Sequence, residues 1–285
     1  MKLLYSVLLV CLCLSVVPAS SQHKKPSDLV FENIAAKYRE LSTSAEAVKI
    51  ADTPVAYQTR FIQPEDNVVK EYGKLRQIAL IRHGEPDLKK TGKFSNEEAR
   101  KFLVDYDSVG IIRPDKPFLS VSRPDEVAIF CSSINRARAT ADYLFGQDSI
   151  ITVSPEFREF ETSIGKIKPK LKLPIKLWTA AARIKWILGF EPEGVESFAE
   201  AKTRARKAAE RLDDATKENS KAVLVAHGFL NRYIKEDLEK MGWRVVRDGG
   251  HGYLGTTILA KIDDRPITEK DLAAVNEAQP SVVAP

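Results

Sequence analysis

Gln77-Ile78-Ala79-Leu80-Ile81-Arg82-His83-Gly84-Glu85 is the stretch that decides the fold. A short apolar run that stops abruptly at arginine, histidine and glycine reads as a buried strand ending in a polar loop. The pattern recurs downstream. Val127 to Cys131 reads as a second buried strand followed by a helix from Ile134 to Phe145, and Ile150 to Val153 as a third strand. Ala222 to Ala226 is another apolar strand, which ends at His227-Gly228 and leads into helical pattern from Leu230 to Met241. Thr256 to Ile262 can form a last strand. Ser95-Asn96-Glu97-Glu98 and Ser197-Phe198-Ala199-Glu200 have capping-box spacing and open helices through about Asp107 and about Lys217. Strands alternating with helices imply an α/β fold, a mostly parallel central sheet with helices on both faces. In such sheets ligands bind beyond the carboxyl ends of the strands. Three separate strands deliver polar residues there: Arg82-His83, Ser132 to Arg136, and His227.

Outward from this region the chain changes character. Met1-Lys2, the apolar run Leu3 to Val17 and the small residues Pro18-Ala19-Ser20-Ser21 read as a secretory signal cut after Ala19 or Ser21. Fifteen residues fall short of the roughly 18–20 that cross a bilayer. Residues 1–21 are therefore expected to be a signal peptide, and the mature protein to be exported, periplasmic or secreted. Residues 22–75 form a charged N-terminal extension with helical pattern from Leu29 to Leu41, for which Ser27 is the expected N-cap. Ala51 to Gly73 shows no clear period and is expected to wrap the surface. The catalytic-type domain is expected over residues 76–265, with a frayed tail over 266–285.

Composition narrows the class. In 285 residues, 44% are hydrophobic, enough for a substantial core. The net charge of +5 is too small to argue for a nucleic-acid partner, and none is expected. Signal cleavage would remove Cys11 and Cys13 and leave Cys131, a buried small hydrophobe by its setting, so no internal disulfide is expected. The four histidines lie far apart in sequence, which does not support a zinc site built from local ligands, and no metal or cofactor is expected.

The strand ends carry the chemistry. A neutral imidazole nitrogen can attack phosphorus, and a flanking arginine both attracts a phosphoryl group and disfavours protonation of the ring. His83 is thus the candidate nucleophile, Arg82 its anion-binding neighbour, and Gly84 a residue that removes a side chain where substrate must approach. Arg136 falls in the first turn of a helix, where free N–H groups already favour anions and a guanidinium can grip phosphate oxygens in pairs. Arg138 points elsewhere, as a solvated helix residue. One strand-end histidine is usually structural. Two, each followed by glycine and accompanied by Arg82 and Arg136, are hard to attribute to packing.

Arg82-His83-Gly84-Glu85, Ser132-Ser133-Ile134-Asn135-Arg136-Ala137 and His227-Gly228, with Gly194-Val195-Glu196-Ser197 before the long helix, resemble the histidine phosphatase superfamily, the phosphoglycerate-mutase-like proteins. The resemblance runs from about Arg76 to Ile262. It implies a phosphohistidine on His83, a phosphate pocket of Arg82, Arg136 and His227, hydrolysis by water, and no metal. It also implies a carboxylic acid that protonates the leaving oxygen. Phe157-Arg158-Glu159 matches the family's Leu-x-Glu register, while Glu161 and Gly165 match its habit of glutamate four residues before glycine; Glu159 is slightly preferred. Alternation puts both on one face of an extended segment. Pro86-Asp87 stand where the family commonly has small hydroxyl residues, and the Gly-Trp stretch of the mutase branch is lacking. The resemblance therefore implies a histidine acid phosphatase-type hydrolase acting on a small phosphorylated substrate. A phosphomutase and a non-catalytic phosphate-binding protein are the alternatives.

A basic segment precedes the long helix. Lys166, Lys168, Lys170, Lys172, Lys176, Arg183 and Lys185 occur with no acidic residue between Thr162 and Phe190. Leucines, isoleucines and tryptophans are interleaved, so Pro174 to Leu188 reads as an amphipathic cap helix over the pocket mouth, within a small helical cap spanning about 166–192. Its charge serves either to steer an anionic substrate or to make peripheral contact with anionic membrane through 166–188, unless the apolar face simply packs on the domain. His251, in Gly249-Gly250-His251-Gly252, is expected to be exposed.

Overall fold

The computed structural model describes residues 26–57, 59–61, 75–121, 126–166 and 171–262. The expected signal peptide, the tail over 266–285, Lys168 and Lys170 lie outside these described residues. In chain order the elements begin with α1 (Pro26–Ser44), β1 (Ala47–Ile50), β2 (Thr53–Tyr57), β3 (Thr59–Arg60), β4 (Leu75–Arg82), β5 (Lys93–Phe94) and α2 (Asn96–Ser108). Then come β6 (Leu119–Ser120), β7 (Val127–Ser132), α3 (Asn135–Phe145), β8 (Ile151–Ser154), β9 (Leu173–Pro174) and α4 (Ile175–Ile187). The last are α5 (Phe198–Asn219), β10 (Lys221–Ala226), α6 (Gly228–Lys240), β11 (Arg244–Arg247) and β12 (Thr256–Ile262).

Six strands make the central sheet, in the order β11-β12-β4-β10-β7-β8. β4, β10, β7 and β8 are parallel, whereas β12 pairs antiparallel with β4 and β11 antiparallel with β12. Register matters most for function. Ala226 pairs with Arg82 and Val225 with Cys131, so His227 and His83 leave the sheet at one level on one edge, with Ser132, the last residue of β7, one position behind them.

Alternation divides the core. Ala79, Ile81, Ile129, Val223 and Val225 face one side and pack with α1, α3 and the β1–β2 hairpin. Ile78, Leu80, Phe130, Ala222 and Leu224 face the other side, where α5 contributes Ala201, Ala205, Ala208, Ala209 and Leu212. Alanine at helical spacing lets α5 lie close against the strands. Both expected capping boxes are present, Ser95 with Glu98 and Ser197 with Glu200.

A buried ion pair ties sheet to helix. Arg76 Nη2 lies 3.3 Å from Asp213 Oδ1, which also accepts from Trp243 Nε1 at 2.9 Å. Burial pushes the Asp213 carboxyl up, but the Trp243 hydrogen bond and then Arg76, Lys261 and Lys217 outweigh it and hold the group below its usual range.

The N-terminal region departs from expectation. Ser27 lies inside α1, which already includes Pro26, so it is not the cap; proline suits a first helical turn because its missing N–H has no intrahelical partner there anyway. Part of the segment expected to wrap the surface is instead β2 and β3, and Phe61 is buried in the main core. Residues 62–73 lie outside the described residues. The cap helix forms as α4. Its Ile175, Trp178 and Ala182 make a satellite core with Ala99 and Phe102 of α2, and Trp178 Nε1 donates to the Phe94 carbonyl at 2.8 Å.

Candidate active site

The loop after β4 is held from three directions. His83 N–H donates to the Ala226 carbonyl at 2.9 Å, Gly84 N–H to Thr140 Oγ1 at 2.9 Å, and Leu254 N–H to the Arg82 carbonyl at 3.1 Å. β10, α3 and the loop before β12 therefore set where the imidazole of His83 sits.

Its hydrogen bonds determine the tautomer. Nδ1 faces the Gly84 carbonyl at 2.7 Å, and a carbonyl can only accept, so Nδ1 carries the proton. Arg136 Nε, which can only donate, points at Nε2 at 3.1 Å. Nε2 is thus a lone pair. The second imidazole obeys the same logic in reverse. Arg136 Nη2 donates to His227 Nδ1 at 3.2 Å, and His227 Nε2–H donates to Ser132 Oγ at 2.8 Å. Arg136 Nη1 is anchored on the Tyr106 carbonyl at 3.0 Å and on the Asp107 carboxylate, with the guanidinium 4.4 Å above the Tyr106 ring. One buried arginine therefore holds both rings, whose centroids are 5.2 Å apart.

Electrostatics agrees with the neutral forms. Burial, then the charge of Arg136, hold His83 well below the usual imidazole range against the opposing effect of the Gly84 carbonyl, with lesser help from Arg82 and Lys90. Burial followed by Arg136 does the same for His227. His83 is 2% exposed, yet its ring borders a cleft of ≈ 740 Å³. His227 is fully buried and sits behind Arg136 rather than on the cleft wall.

Arg82 also lines the cleft. It donates to the His251 carbonyl, stacks 4.5 Å over the Tyr253 ring, and leaves its Nε buried without a hydrogen-bond partner among the described residues. Gly228 makes this possible, because a Cβ there would meet Arg82 Cδ at 3.3 Å. Gly84 serves differently from the expectation. A Cβ at Gly84 would press on Ile111 at 3.1 Å, and the residue is buried away from the cleft, so it is small for packing rather than for substrate approach.

The two candidate acids separate. Glu159 Oε1 accepts from the N–H groups of Phe160 at 2.9 Å and Leu230 at 3.1 Å, and Oε2 from Phe229 at 3.3 Å. It thereby caps the first turn of α6, a role that uses lone pairs on both oxygens. Glu161 is exposed, lines the same cleft, and its carboxylate has no hydrogen bond among the described residues.

Other residues at the site were not anticipated from sequence. Lys90 bonds the Tyr253 hydroxyl and lies 4.4 Å from that ring; burial lowers its ammonium from the ordinary lysine range. Burial pushes the Tyr106 phenol up to about 12. Tyr253 stands 5.7 Å from the His83 ring. The available signal was the glycine-rich loop ending in an aromatic residue; His251 itself is exposed, as expected, but its carbonyl orients Arg82. Arg138 is exposed, and the buried Cys131 thiol is pushed up to about 12 by burial. Seven arginines and lysines against four carboxylates line the cleft, which suits an anion. Among the described residues no group of three or more histidine, cysteine and acidic side chains is placed to hold a metal ion.

No curated protein matches the chain in sequence. Among solved structures, a mycobacterial hydrolase is 20% identical, covering 72% of this chain and 98% of its own, with a TM-score of 0.38. The mycobacterial glucosyl-3-phosphoglycerate phosphatase is 21% identical over 68% of this chain and 100% of its own, with a TM-score of 0.37. The phosphoserine phosphatase of Entamoeba histolytica is 17% identical over 68% and 98%, with a TM-score of 0.35. The family model for the histidine phosphatase superfamily (branch 1) matches residues 78–270. That span covers most of the chain and both strand-end histidines, and the chain belongs to the histidine phosphatase superfamily, branch 1.

Proposed function

We propose that the chain is a phosphatase that hydrolyses a small phosphate monoester through a phosphohistidine on His83. The observation that carries this reading is the pair of hydrogen bonds that leaves His83 Nε2 unprotonated beside the Arg136 guanidinium at the base of a cationic cleft. Nε2 attacks phosphorus as the P–O bond to the leaving group breaks. Its lone pair then belongs to the P–N bond, which frees Arg136 Nε–H to donate to a phosphoryl oxygen instead. Arg82, on the wall of the same cleft, supplies a second cation to that group. His227 acts by holding Arg136 in place. The departing alkoxide takes a proton from Glu161; the resulting carboxylate then accepts a proton from water as that water attacks phosphorus and breaks the P–N bond. Inorganic phosphate leaves and His83 returns to its neutral state. Glu161 is favoured over Glu159 because the oxygens of Glu159 are engaged by α6. The scheme requires no metal or cofactor, and it takes no nucleic acid as partner.

The N-terminal sequence further supports export. The mass of the secreted chain tests it, with cleavage expected after Ala19 or Ser21; a chain that keeps Met1 would remove that part of the reading. The chemistry is tested by acid-labile labelling with a generic aryl phosphate, wild type beside His83→Ala. Label confined to the wild type is expected. Equal label in both proteins would overturn the nucleophile.

A further inference from the structure

Helix α4 carries apolar side chains on two opposite sides. Ile175, Trp178, Ala182 and Trp186 are buried against the rest of the fold. On the other side Leu177, Ile184 and Leu188 are 53%, 60% and 65% exposed, and Phe190 just beyond the helix is 63% exposed. At about 100° per residue, Leu177, Ala181, Ile184 and Leu188 share one outward stripe. Lys176 falls along one edge of that stripe and Lys185 along the other. Neither pairs with a carboxylate among the described residues, α4 has no acidic residue, and carboxylates resume only at Glu191 and Glu193. A surface helix ordinarily shows solvent its polar side. Here the outward side has an apolar centre bordered by cations, the distribution of a helix that lies in a lipid headgroup layer.

We propose that α4 docks on the surface of an anionic lipid bilayer, with Leu177, Ile184, Leu188 and Phe190 entering the acyl boundary and Lys176 and Lys185 meeting headgroup phosphates. The helix lies on the membrane. Thirteen residues reach about 20 Å against the roughly 30 Å of a hydrocarbon core, and no helix among the described residues is long and apolar enough to cross. Charge favours lipid over a second copy of the chain. Two such faces meeting would set lysines against lysines with no carboxylate on either helix to neutralise them, whereas an anionic surface supplies the complement. The same helix lines the cleft through Ile175, Thr179 and Arg183, and through Lys176 at the edge that the cleft side shares with the outward stripe. Docking thus brings the cleft to within about one helix diameter, ~10 Å, of the headgroups.

Vesicle sedimentation tests the proposal with the whole chain, using phosphatidylcholine vesicles alone and vesicles containing about a third phosphatidylglycerol. The wild type is expected to partition at least about ten-fold more strongly onto the anionic vesicles at low salt, and to lose that preference in high salt. Ile184→Ser/Leu188→Ser changes only exposed positions and is expected to lower partitioning about ten-fold or more, with an unchanged thermal melt. Lys185→Gln is expected to lower it by about five-fold. Wild type and variants share one N-terminal sequence, so a difference between them reports on α4. Equal partitioning of wild type and double variant would overturn the proposal, as would equal binding to neutral and anionic vesicles. A wild-type dimer dissolved by the double variant, without any vesicle difference, would assign the face to self-association instead.

Discussion

Arg136 Nε–H points at the unprotonated Nε2 of His83 across 3.1 Å, so the cation of the site is hydrogen-bonded to the lone pair proposed to attack phosphorus. The contact both aims the ring and keeps it neutral. It breaks when the lone pair is used, which makes the arginine more available in the transition state than in the resting site.

Removing that guanidinium should therefore act on the chemical step. A charge-assisted hydrogen bond contributes about 1.5–3 kcal/mol, and Arg136→Gln is expected to lower kcat on an aryl phosphate by about 10- to 100-fold. Steady-state kinetics checks this. A variant that raised KM alone would mean that Arg136 contributes only ground-state binding.

The two glutamates should respond differently to the leaving group. Glu161→Gln is expected to slow phosphoenzyme formation from an alkyl phosphate by about 100-fold while sparing the first-turnover release of nitrophenol from nitrophenyl phosphate, whose leaving oxygen needs no proton. Glu159→Gln removes a helix cap and is expected to cost about 1 kcal/mol of stability with no dependence on the leaving group. Rates on the two substrates, set beside thermal melts, separate the roles.

Acid should destabilise the fold through the buried imidazoles. Unfolded histidine takes a proton near pH 6.5, at about the unperturbed value. Burial and Arg136 hold folded His83 and His227 well below that. The unfolded chain therefore binds more protons. The stability contributed by the neutral rings is full above about pH 6.5 and is lost as pH falls below it. Melting temperature is expected to fall between about pH 7 and pH 5, and His227→Gln to flatten the curve. A wild-type profile flat across that window would contradict the neutral assignment.

The Arg76–Asp213 pair should matter to stability and not to turnover. Asp213→Asn takes a carboxylate from beside a buried guanidinium and is expected to cost about 3–5 kcal/mol. Because the folded carboxyl is held below its usual range, this contribution is present above about pH 4 and lost as pH falls through the folded value. Chemical denaturation at pH 7 and pH 3.5 checks both statements, with kcat on an aryl phosphate as the control.

Most of the sheet was legible in the chain. β4, β7, β8, β10 and β12 were each marked by a local apolar run, and the two capping boxes placed the starts of α2 and α5. Short antiparallel elements were not legible. β11 has four residues and two arginines, and β1 and β2 pair through a turn whose left-handed residues are Ala51 and Asp52 rather than glycine. Nothing local in composition marks such strands, because their stability comes from the partners they meet.

The sequence by itself determined that Arg82, His83, Ser132 and His227 stand at strand ends and Arg136 in the first turn of the helix after one of them, since apolar runs and their stops are local properties of the chain. Tertiary structure alone decided which atom of each ring carries the proton, that His227 backs Arg136 instead of facing the cleft, and that Glu159 is spent on α6 while the Glu161 carboxylate has no hydrogen bond among the described residues. It also decided that Gly84 is small for Ile111 and that Tyr253 and Lys90 join the site. The physical reason is range. A hydrogen bond is directional and spans about 3 Å, so its partner is set by where distant segments of the chain come to lie, which no local pattern of residues encodes.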